Sequence, residues 1–244
     1  MGASHPLDPF RTHNLLEVEL RKWDQDFRFL LDCFQRMLAR IREPELARLA
    51  AVAFAVPPEP GERLPPRGSQ ALSMAFQLLN MAEENTANQV RRMRETVDGP
   101  TGERGSWPYQ LELLRSAGFT EADLRRVLPG IHVQPVLTAH PTEAKRASVL
   151  DRHRELYLML VERENPTRTP MEQESLRRRI ETGLERLWRT GEILLERPDV
   201  ESEVHNTLHY LASVFPSVLQ LLSERFRQSW EWAFAGSDPP PSRA

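Results

Sequence analysis

The sequence predicts a mainly α-helical fold of long packed helices with one or two short strands. Apolar residues recur at steps of three and four along most of the chain, which is the spacing of one helix face. Prolines separate these periodic stretches. Only one segment, near residues 131–138, alternates and is rich in β-branched side chains, as a strand would be.

The composition is that of a globular protein and excludes several classes. With 244 residues, 40% hydrophobic and 27% charged, the chain can bury a sizeable core. The net charge of -3 and the alternation of arginines with glutamates argue against nucleic-acid binding. Cys33 is the only cysteine, so an intrachain disulfide and a cysteine-bound zinc are excluded, and we expect it in the core.

The sequence does not indicate a membrane protein. The longest apolar run, residues 49–56, is far shorter than the roughly 20 residues that a membrane-spanning helix needs. Residues 1–10 lack the basic and apolar regions of a secretory signal. We therefore expect a cytoplasmic protein without a membrane partner.

The first predicted helix is long and amphipathic and ends at Pro44. Its apolar stripe consists of Leu16, Leu20, Trp23, Phe27, Leu30, Phe34, Met37 and Ile41. A shorter helix over residues 45–55 follows. Residues 56–68 are predicted to form a proline-rich loop, and a surface connection is favoured over a partner-binding polyproline segment.

The second long helix is predicted over residues 69–96. Asn80, Glu83 and Glu84 lie in its middle, where polar residues beside an apolar stripe indicate a buried hydrogen bond or a wet edge. Residues 97–108 are predicted to form a glycine-rich loop, which lacks the spacing of a phosphate-binding loop. A mobile lid is the alternative.

Two short helices are predicted next, over residues 109–117 and 121–128. Thr120 can cap the second helix, and glycine or proline follows each of them. They lead to the strand near residues 131–138 and then to a helix over residues 143–164.

Thr169, Pro170 and Glu172 form a capping box, so a further helix is predicted to start there and to continue to Pro198. Gly191 lies inside that helix and costs about 1 kcal/mol relative to alanine. A close contact with another helix would explain it.

The final helix is predicted over residues 200–234, with a bend at Pro216. Its apolar stripe consists of Val204, Leu208, Leu211, Phe215, Val218, Leu222, Phe226 and Trp230. His205 and His209 lie one turn apart, but no third ligand is evident, so an exposed pair is favoured over a metal site. Residues 235–244 are predicted to form a linker-like tail.

The stretch with recognisable chemistry is residues 136–146. His140 lies where the predicted strand meets the next helix, whose first turn is favoured by Pro141. A helix N-terminus offers unpaired N–H groups, so this junction could hold a carboxylate or phosphate, with Lys145 and Arg146 adding positive charge. The alternative is a capped helix start with a hydrogen-bonded histidine.

Residues 138–143, Thr-Ala-His-Pro-Thr-Glu, together with Arg146, resemble the N-terminal signature of phosphoenolpyruvate carboxylase. Residues 78–84, Leu-Leu-Asn-Met-Ala-Glu-Glu, resemble a segment that lies upstream in that family. Residues 187–193, Leu-Trp-Arg-Thr-Gly-Glu-Ile, followed by Arg-Pro at 197–198, resemble another that lies downstream. Three such segments in the family's order identify the chain as a relative.

Two positions depart from the family pattern. Ala147 stands where many members have a second arginine, and Gly191 replaces an aspartate. These departures indicate a divergent branch and leave the expected role of His140 unchanged.

The resemblance implies that residues 1–244 are the N-terminal helical portion, an incomplete part of a larger α/β-barrel-type carboxylase. Members carboxylate phosphoenolpyruvate with bicarbonate to give oxaloacetate and phosphate. The resemblance implies His140 as the catalytic residue, which handles a proton at the carboxyphosphate stage. It implies Arg146 as a substrate-binding residue.

The resemblance also indicates which parts of the complete enzyme this chain does not contain. The family's divalent-metal ligands belong to a C-terminal barrel region, so we expect Mg²⁺ to be bound by that missing part, with no metal site here. We expect the complete enzyme to be a homo-oligomer, and this chain alone to be inactive and to expose apolar surface. The alternatives are a non-catalytic helical interaction or regulatory module and a phosphohistidine carrier that uses His140.

Overall fold

The computed structural model describes residues 9–52, 54, 63–134, 136, 147–190 and 200–235. These residues form the helices α1 (Pro9–Arg40), α2 (Pro44–Val52), α3 (Gly68–Asp98), α4 (Trp107–Ser116), α5 (Glu121–Val127), α6 (Ala147–Glu162), α7 (Pro170–Thr190), α8 (Val200–His209) and α9 (Phe215–Ala233). A 3₁₀ turn, Leu128–Gly130, follows α5, and a π-helical turn, Tyr210–Val214, joins α8 to α9. The predicted mainly α fold is confirmed.

The strand predicted near residues 131–138 is not formed in its described part. Residues 131–134 and 136 are irregular, and Val133 is 87% exposed. The described ranges contain no strand that could pair with this segment, and an unpaired strand leaves its backbone groups to solvent. The other residues of the predicted strand lie outside the described residues.

Local capping sets where several helices start and end. Thr120 opens α5, as the sequence predicted, and the structure adds that Thr120 and Asp123 bond reciprocally as a capping box. Gly118, at φ +90°, ends the turn after α4, and that left-handed conformation favours glycine. Residues 99–106 separate α3 from α4, inside the predicted loop 97–108. Of the predicted loop 56–68, only residues 63–68 are described, and α3 begins at Gly68.

The described residues divide into two compact units. The first comprises α1, α2, α3 up to Val90, α6 and α7. Its core contains Phe27, Leu30, Cys33, Phe34, Met37, Leu38, Leu46, Ala50, Ala71, Met74, Leu78, Met81, Ala82, Val149, Leu156, Leu160, Leu176, Ile180, Leu184, Leu187 and Trp188. The predicted α1 stripe therefore lies in this core from Phe27 to Met37, whereas Leu20 is 56% exposed.

Helices α6 and α7 approach closely at Gly183. A Cβ atom there would lie 2.9 Å from Leu156 Cδ2 and 3.3 Å from Met159 Cε. The close contact expected at Gly191 cannot be compared, because Gly191 lies outside the described residues.

The second unit comprises α3 from Arg91 onward, α4, α5, α8 and α9. Its core contains Leu111, Leu124, Trp230 and Ala233, with Leu114, Leu128, Phe226 and Phe234 packed against it. The Arg115 guanidinium donates to the Ala233 carbonyl at 3.0 Å and so satisfies an acceptor at the end of α9.

The final helix is interrupted close to the position that the sequence predicted. Pro216 lies in the first turn of α9, and the π-helical turn immediately precedes that helix. Proline has no N–H for the helical ladder, so a disturbed hydrogen-bond pattern before it is expected. Of the predicted tail 235–244, only Ala235 is described. No described helix has the length and apolar character to span a membrane.

Candidate functional site

The two residues that the resemblance singled out, His140 and Arg146, lie outside the described residues. Their roles therefore stay predictions. What the structure does describe is α6, which begins at Ala147 directly after Arg146, and the helices of the same unit that hold it.

A half-open groove of about 290 Å³ lies between α3 and α6. It is lined by Gln77, Asn80, Met81, Glu84, His153, Arg154 and Tyr157. The α3 residues recur at steps of three and four, and so do the α6 residues, which places each set on one helix face. One family-like segment, residues 78–84, thus lines the groove together with the helix that follows residues 138–146.

The groove presents groups of both charge signs together with neutral hydrogen-bonding groups. Glu84 supplies a carboxylate, Arg154 a guanidinium and His153 an imidazole. The Tyr157 hydroxyl accepts a hydrogen bond from Asn88 Nδ2 at 2.8 Å, which fixes its position. This set suits hydrogen bonding to a small polar molecule or a polar segment.

A network of charged and polar side chains ties α1 and α3 to the C-terminal end of α6. Asp26 is completely buried and accepts from Asn85 Nδ2 at 2.8 Å and from Arg163 Nη1 at 2.9 Å. It also pairs with Lys22. Asn85 Nδ2 donates in addition to Glu164 Oε1 at 2.6 Å. The network leaves the carboxylate of Asp26 fully partnered, as a buried charge requires.

Aromatic contacts support the same network. The Arg163 guanidinium lies 4.3 Å from the ring centroid of Phe29, and Arg177 of α7 approaches that ring to 4.9 Å. Cations over an aromatic face are attracted by its quadrupole. The network therefore fixes the end of α6 against α1 and α7.

Sequence reasoning missed Asp26 and Asn85. Asp26 falls between Trp23 and Phe27 in the α1 stripe, and a carboxylate at such a position is a signal of a buried pair. Asn85 directly follows the family-like segment 78–84 and is also completely buried. Asn80, Glu83 and Glu84, for which the sequence left a buried hydrogen bond or a wet edge open, are exposed, as a wet edge would be.

The third family-like segment packs into the core of the same unit. Leu187 and Trp188 are buried, and the Trp188 ring contacts Phe34. The Trp188 carbonyl accepts from Gln70 Nε2 at 2.8 Å, while the Arg67 guanidinium lies 4.0 Å from the Trp188 ring centroid. These contacts fix the end of α7 against the start of α3. Residues 191–198 of this segment lie outside the described residues.

The histidine pair of α8 does not form a metal site with other described residues. His205 Nδ1 contacts the Glu201 carbonyl at 2.9 Å, and the His209 ring packs against Tyr210. In the part of the chain that the structure describes, no group of three or more histidine, cysteine, aspartate or glutamate residues could hold a metal ion.

Comparison with known proteins gives consistent matches. The family model for phosphoenolpyruvate carboxylase matches residues 66–243, a range that contains all three segments. The phosphoenolpyruvate carboxylase of Methylorubrum extorquens is 35% identical over 166 residues, covering 66% of this chain and 18% of that protein. That of Chromobacterium violaceum is 30% identical over 223 residues, covering 85% of this chain and 25% of that protein.

A third relative, from Gloeobacter violaceus, is 30% identical over 159 residues and is likewise a phosphoenolpyruvate carboxylase. That match covers 65% of this chain and 17% of the relative. The chain therefore spans between about a sixth and a quarter of the length of the curated relatives that it matches.

Proposed function

The chain belongs to the phosphoenolpyruvate carboxylase family, and we propose that it supplies the N-terminal part of an enzyme that carboxylates phosphoenolpyruvate with bicarbonate. The products are oxaloacetate and phosphate. The observation that carries this proposal is the family match over residues 66–243, which includes the Thr-Ala-His-Pro-Thr-Glu signature at 138–143.

In this proposal His140 is the catalytic residue. Its imidazole can hold or release a proton near neutral pH, which suits the step at which carboxyphosphate breaks down to carbon dioxide and phosphate. Arg146 binds the anionic substrate or intermediate, because a guanidinium stays charged and can donate two parallel hydrogen bonds to a carboxylate or phosphate.

The described part of the chain would position this catalytic segment. It is followed directly by α6, which the Asp26 network and the packing against α7 hold in place. A catalytic group needs a fixed position to act, and a displacement of about 1 Å can cost about 100-fold in rate. Asp26 and Asn85 are therefore positioning residues, without contact to substrate.

One imidazole and one guanidinium cannot stabilise both a transferring phosphoryl group and an enolate. The family's reaction uses a divalent cation, and the described residues offer no cluster that fits one. We propose that Mg²⁺ is bound by polypeptide outside this chain, where it would stabilise the negative charge, and that this chain alone is inactive.

An assay of oxaloacetate formation tests the proposal. The chain alone, with Mg²⁺, phosphoenolpyruvate and bicarbonate, should give no product above the blank. Co-expression with the polypeptide that follows the matched segment in the Methylorubrum extorquens enzyme should give turnover.

The His140→Asn variant of the same pair should lose roughly 100-fold or more of that rate, as expected for loss of a general acid or base. His132→Asn is the matched control, because His132 is an exposed histidine of the preceding segment and should leave the rate unchanged. Turnover by the chain alone, or an equal loss in both variants, would contradict the proposal.

A second candidate is a non-catalytic interaction or regulatory module derived from the enzyme. It is favoured by the row of exposed apolar residues on α8 and α9, which suits association with another polypeptide. The coding sequence discriminates between the two. Continuation in frame into a glycine- and aspartate-rich motif and a barrel supports the enzyme, whereas an independent stop supports the module.

A further inference from the structure

Residues 204–223 form a stretch of twenty residues without a single aspartate, glutamate, lysine or arginine. Helix α7, of similar length, has nine such residues among its 21. A helix that faces water normally carries charge on its outer side, and about a quarter to a third of surface residues in soluble proteins are charged. The composition of residues 204–223 is therefore that of a covered segment.

The apolar side chains of this stretch are nevertheless exposed. Leu208 and Leu211 are 54% and 52% exposed, and Val204, Val218 and Leu222 are between 41% and 50% exposed. These residues, with Phe215 between them, follow alternating steps of four and three in the sequence. The π-helical turn Tyr210–Val214 divides them, so Val204 and Leu208 lie on α8, whereas Phe215, Val218 and Leu222 recur at helical spacing on one side of α9. Leu219 and Leu221, both more than half exposed, widen the face.

The same stripe is covered where it continues. Phe226 and Trp230, the next two residues along it, pack against Leu111 and Leu124 in the core of the second unit. Trp230 is completely buried. The last two residues of the stripe thus have their packing partner, and the part from Val204 to Leu222 does not have one among the described residues.

We propose that residues 204–222 form a docking surface for the polypeptide that, in the longer family members, lies beyond the segment matched by this chain. This inference rests on the proposed function. The chain covers only 17% to 25% of three of those relatives, so most of each relative is available to supply the covering surface. A surface almost free of charge is typical of an obligate interface, which resembles a domain core cut in half.

The surface also defines the chemistry of its partner. From Val204 to Leu222 the stripe is at most roughly 27 Å long, because the α-helical rise of about 1.5 Å per residue is an upper value across the wider π-helical turn, and the partner presents an apolar stripe of similar length. Ser213, Ser217 and Gln220 lie within the same stretch and supply neutral hydrogen-bonding groups beside the stripe. Glu201 and Glu203 before the stretch and Glu224 after it mark the two ends of the docking surface.

The test is capture of this chain by a tagged polypeptide, namely the part of the Methylorubrum extorquens enzyme that follows the matched segment, after co-expression. The wild-type chain should be captured, and Leu208→Glu and Leu222→Glu should each weaken the binding at least tenfold. Leu113→Glu is the matched control, because Leu113 is a 53% exposed leucine of the same unit, outside the docking surface. Circular dichroism should show equal helix content in all variants.

Hydrogen exchange supplies a second readout that does not depend on substitutions. The amides of residues 204–223 should become protected in the complex, while those around Leu113 should not change. Three results would each overturn the proposal. The wild-type chain is not captured, or both variants are captured as well as the wild type, or the complex forms without protection of residues 204–223. If the chain alone forms a dimer and Leu208→Glu dissociates it, the surface binds a second copy of the chain instead.

The two proposals fail in different ways. A complex that forms through the docking surface but makes no oxaloacetate would leave this inference standing and contradict the proposed function. The turnover can also be measured at a limiting concentration of the chain. If the Leu208→Glu and Leu222→Glu variants then give the same turnover as the wild type, the proposed function is supported and the docking surface is overturned.

Discussion

Asp26 carries a buried charge whose partners come from α1, α3 and the turn after α6, so its removal is expected to destabilise the first unit. Asp26→Ala leaves Lys22 and Arg163 without their shared carboxylate and leaves the buried Asn85 amide with one acceptor fewer. Breaking a buried pair costs about 3 to 5 kcal/mol. We expect about 3 kcal/mol, because Lys22 and Arg163 retain 24% and 33% exposure. Urea unfolding followed by circular dichroism measures this loss.

Asp24→Ala is the matched control for that experiment. Asp24 lies on the same helix, half a turn away, and pairs with Arg28 in an exposed position. Exposed pairs contribute little because water and salt screen them. Equal losses for Asp24→Ala and Asp26→Ala would show that the buried network does not contribute to stability.

The Cys33 thiol makes the stability of the first unit depend on pH in the alkaline range. Burial is the main cause that raises the pKa of this thiol from 9.0 to about 12. Between those values the unfolded chain loses the thiol proton while the folded chain keeps it, so the free energy of unfolding falls as pH rises. The slope is at most about 1.4 kcal/mol per pH unit for one group.

Urea unfolding between pH 8 and pH 10.5 tests this dependence. Cys33→Ala should remove the thiol contribution, so the wild-type chain should lose stability more steeply than the variant above pH 9. Other groups titrate in the same range, but they contribute equally to both chains. Parallel profiles of the two chains would contradict the assignment. The intact thiol should also react with a thiol reagent only as fast as the protein unfolds.

For individual residues, the sequence predicted which side chains are buried better than it predicted which groups they hydrogen-bond to. Cys33 was expected in the core from its apolar neighbours, and it is completely buried. The bonds of Asp26 could not be predicted, because they join it to Asn85 and Arg163, which are 59 and 137 residues away along the chain. The roles of His140 and Arg146 stay predictions.

Among the helices, α7 is fixed at its start by the capping box that the sequence predicted. The Thr169 N–H donates to Glu172 Oε2 at 2.8 Å, and the Glu172 N–H donates to Thr169 Oγ1 at 3.3 Å. Thr169→Ala removes the side-chain half of this box and should cost about 1 kcal/mol in thermal or urea unfolding.

Thr182→Ala is the control for this cap. Thr182 lies in the middle of α7, and its hydroxyl only donates back to the Arg178 carbonyl. Alanine is a better helix former than threonine, so this variant should be neutral or slightly more stable. A loss for Thr182→Ala as large as that for Thr169→Ala would contradict a specific role of the cap.

Acid affects the same cap through Glu172. The hydrogen bonds from Thr169 lower the pKa of this carboxyl, so the contribution of the cap is present above the ordinary carboxyl pKa and is lost as pH falls through the lowered value. Glu172→Gln should therefore flatten the dependence of stability on pH in that acidic range.

The helices were predicted more reliably than the strand because their signals are local. Thr120, Gly118 and Thr169 act within a few residues of the helix ends that they define. A strand near residues 131–138 requires a partner strand to satisfy its backbone, and the described ranges offer none. The π-helical turn before Pro216 was expected only as a bend, because the sequence does not show how the missing hydrogen bond is absorbed.

For the whole molecule, the two units differ greatly in the core that they bury. Within the described residues, the first unit has 21 buried hydrophobic residues in its cluster, and the second has Leu111, Leu124, Trp230 and Ala233. Hydrophobic burial is the main favourable contribution to folding, so the second unit has less to offset its conformational entropy. The uncovered residues of α8 and α9 are consistent with that deficit, because a partner on the docking surface would add the missing burial.

The expected consequence is that the two units open with different free energies. In hydrogen exchange of the chain alone, amides of α9 around Trp230 should exchange about tenfold or more faster than those of α7 around Leu184. Binding of the covering polypeptide should slow α9 toward the rate of α7 and leave α7 unchanged, because only the second unit carries the docking surface. If α7 and α9 already exchange at one common rate in the chain alone, the units unfold together, and the small core of the second unit is sufficient without a partner.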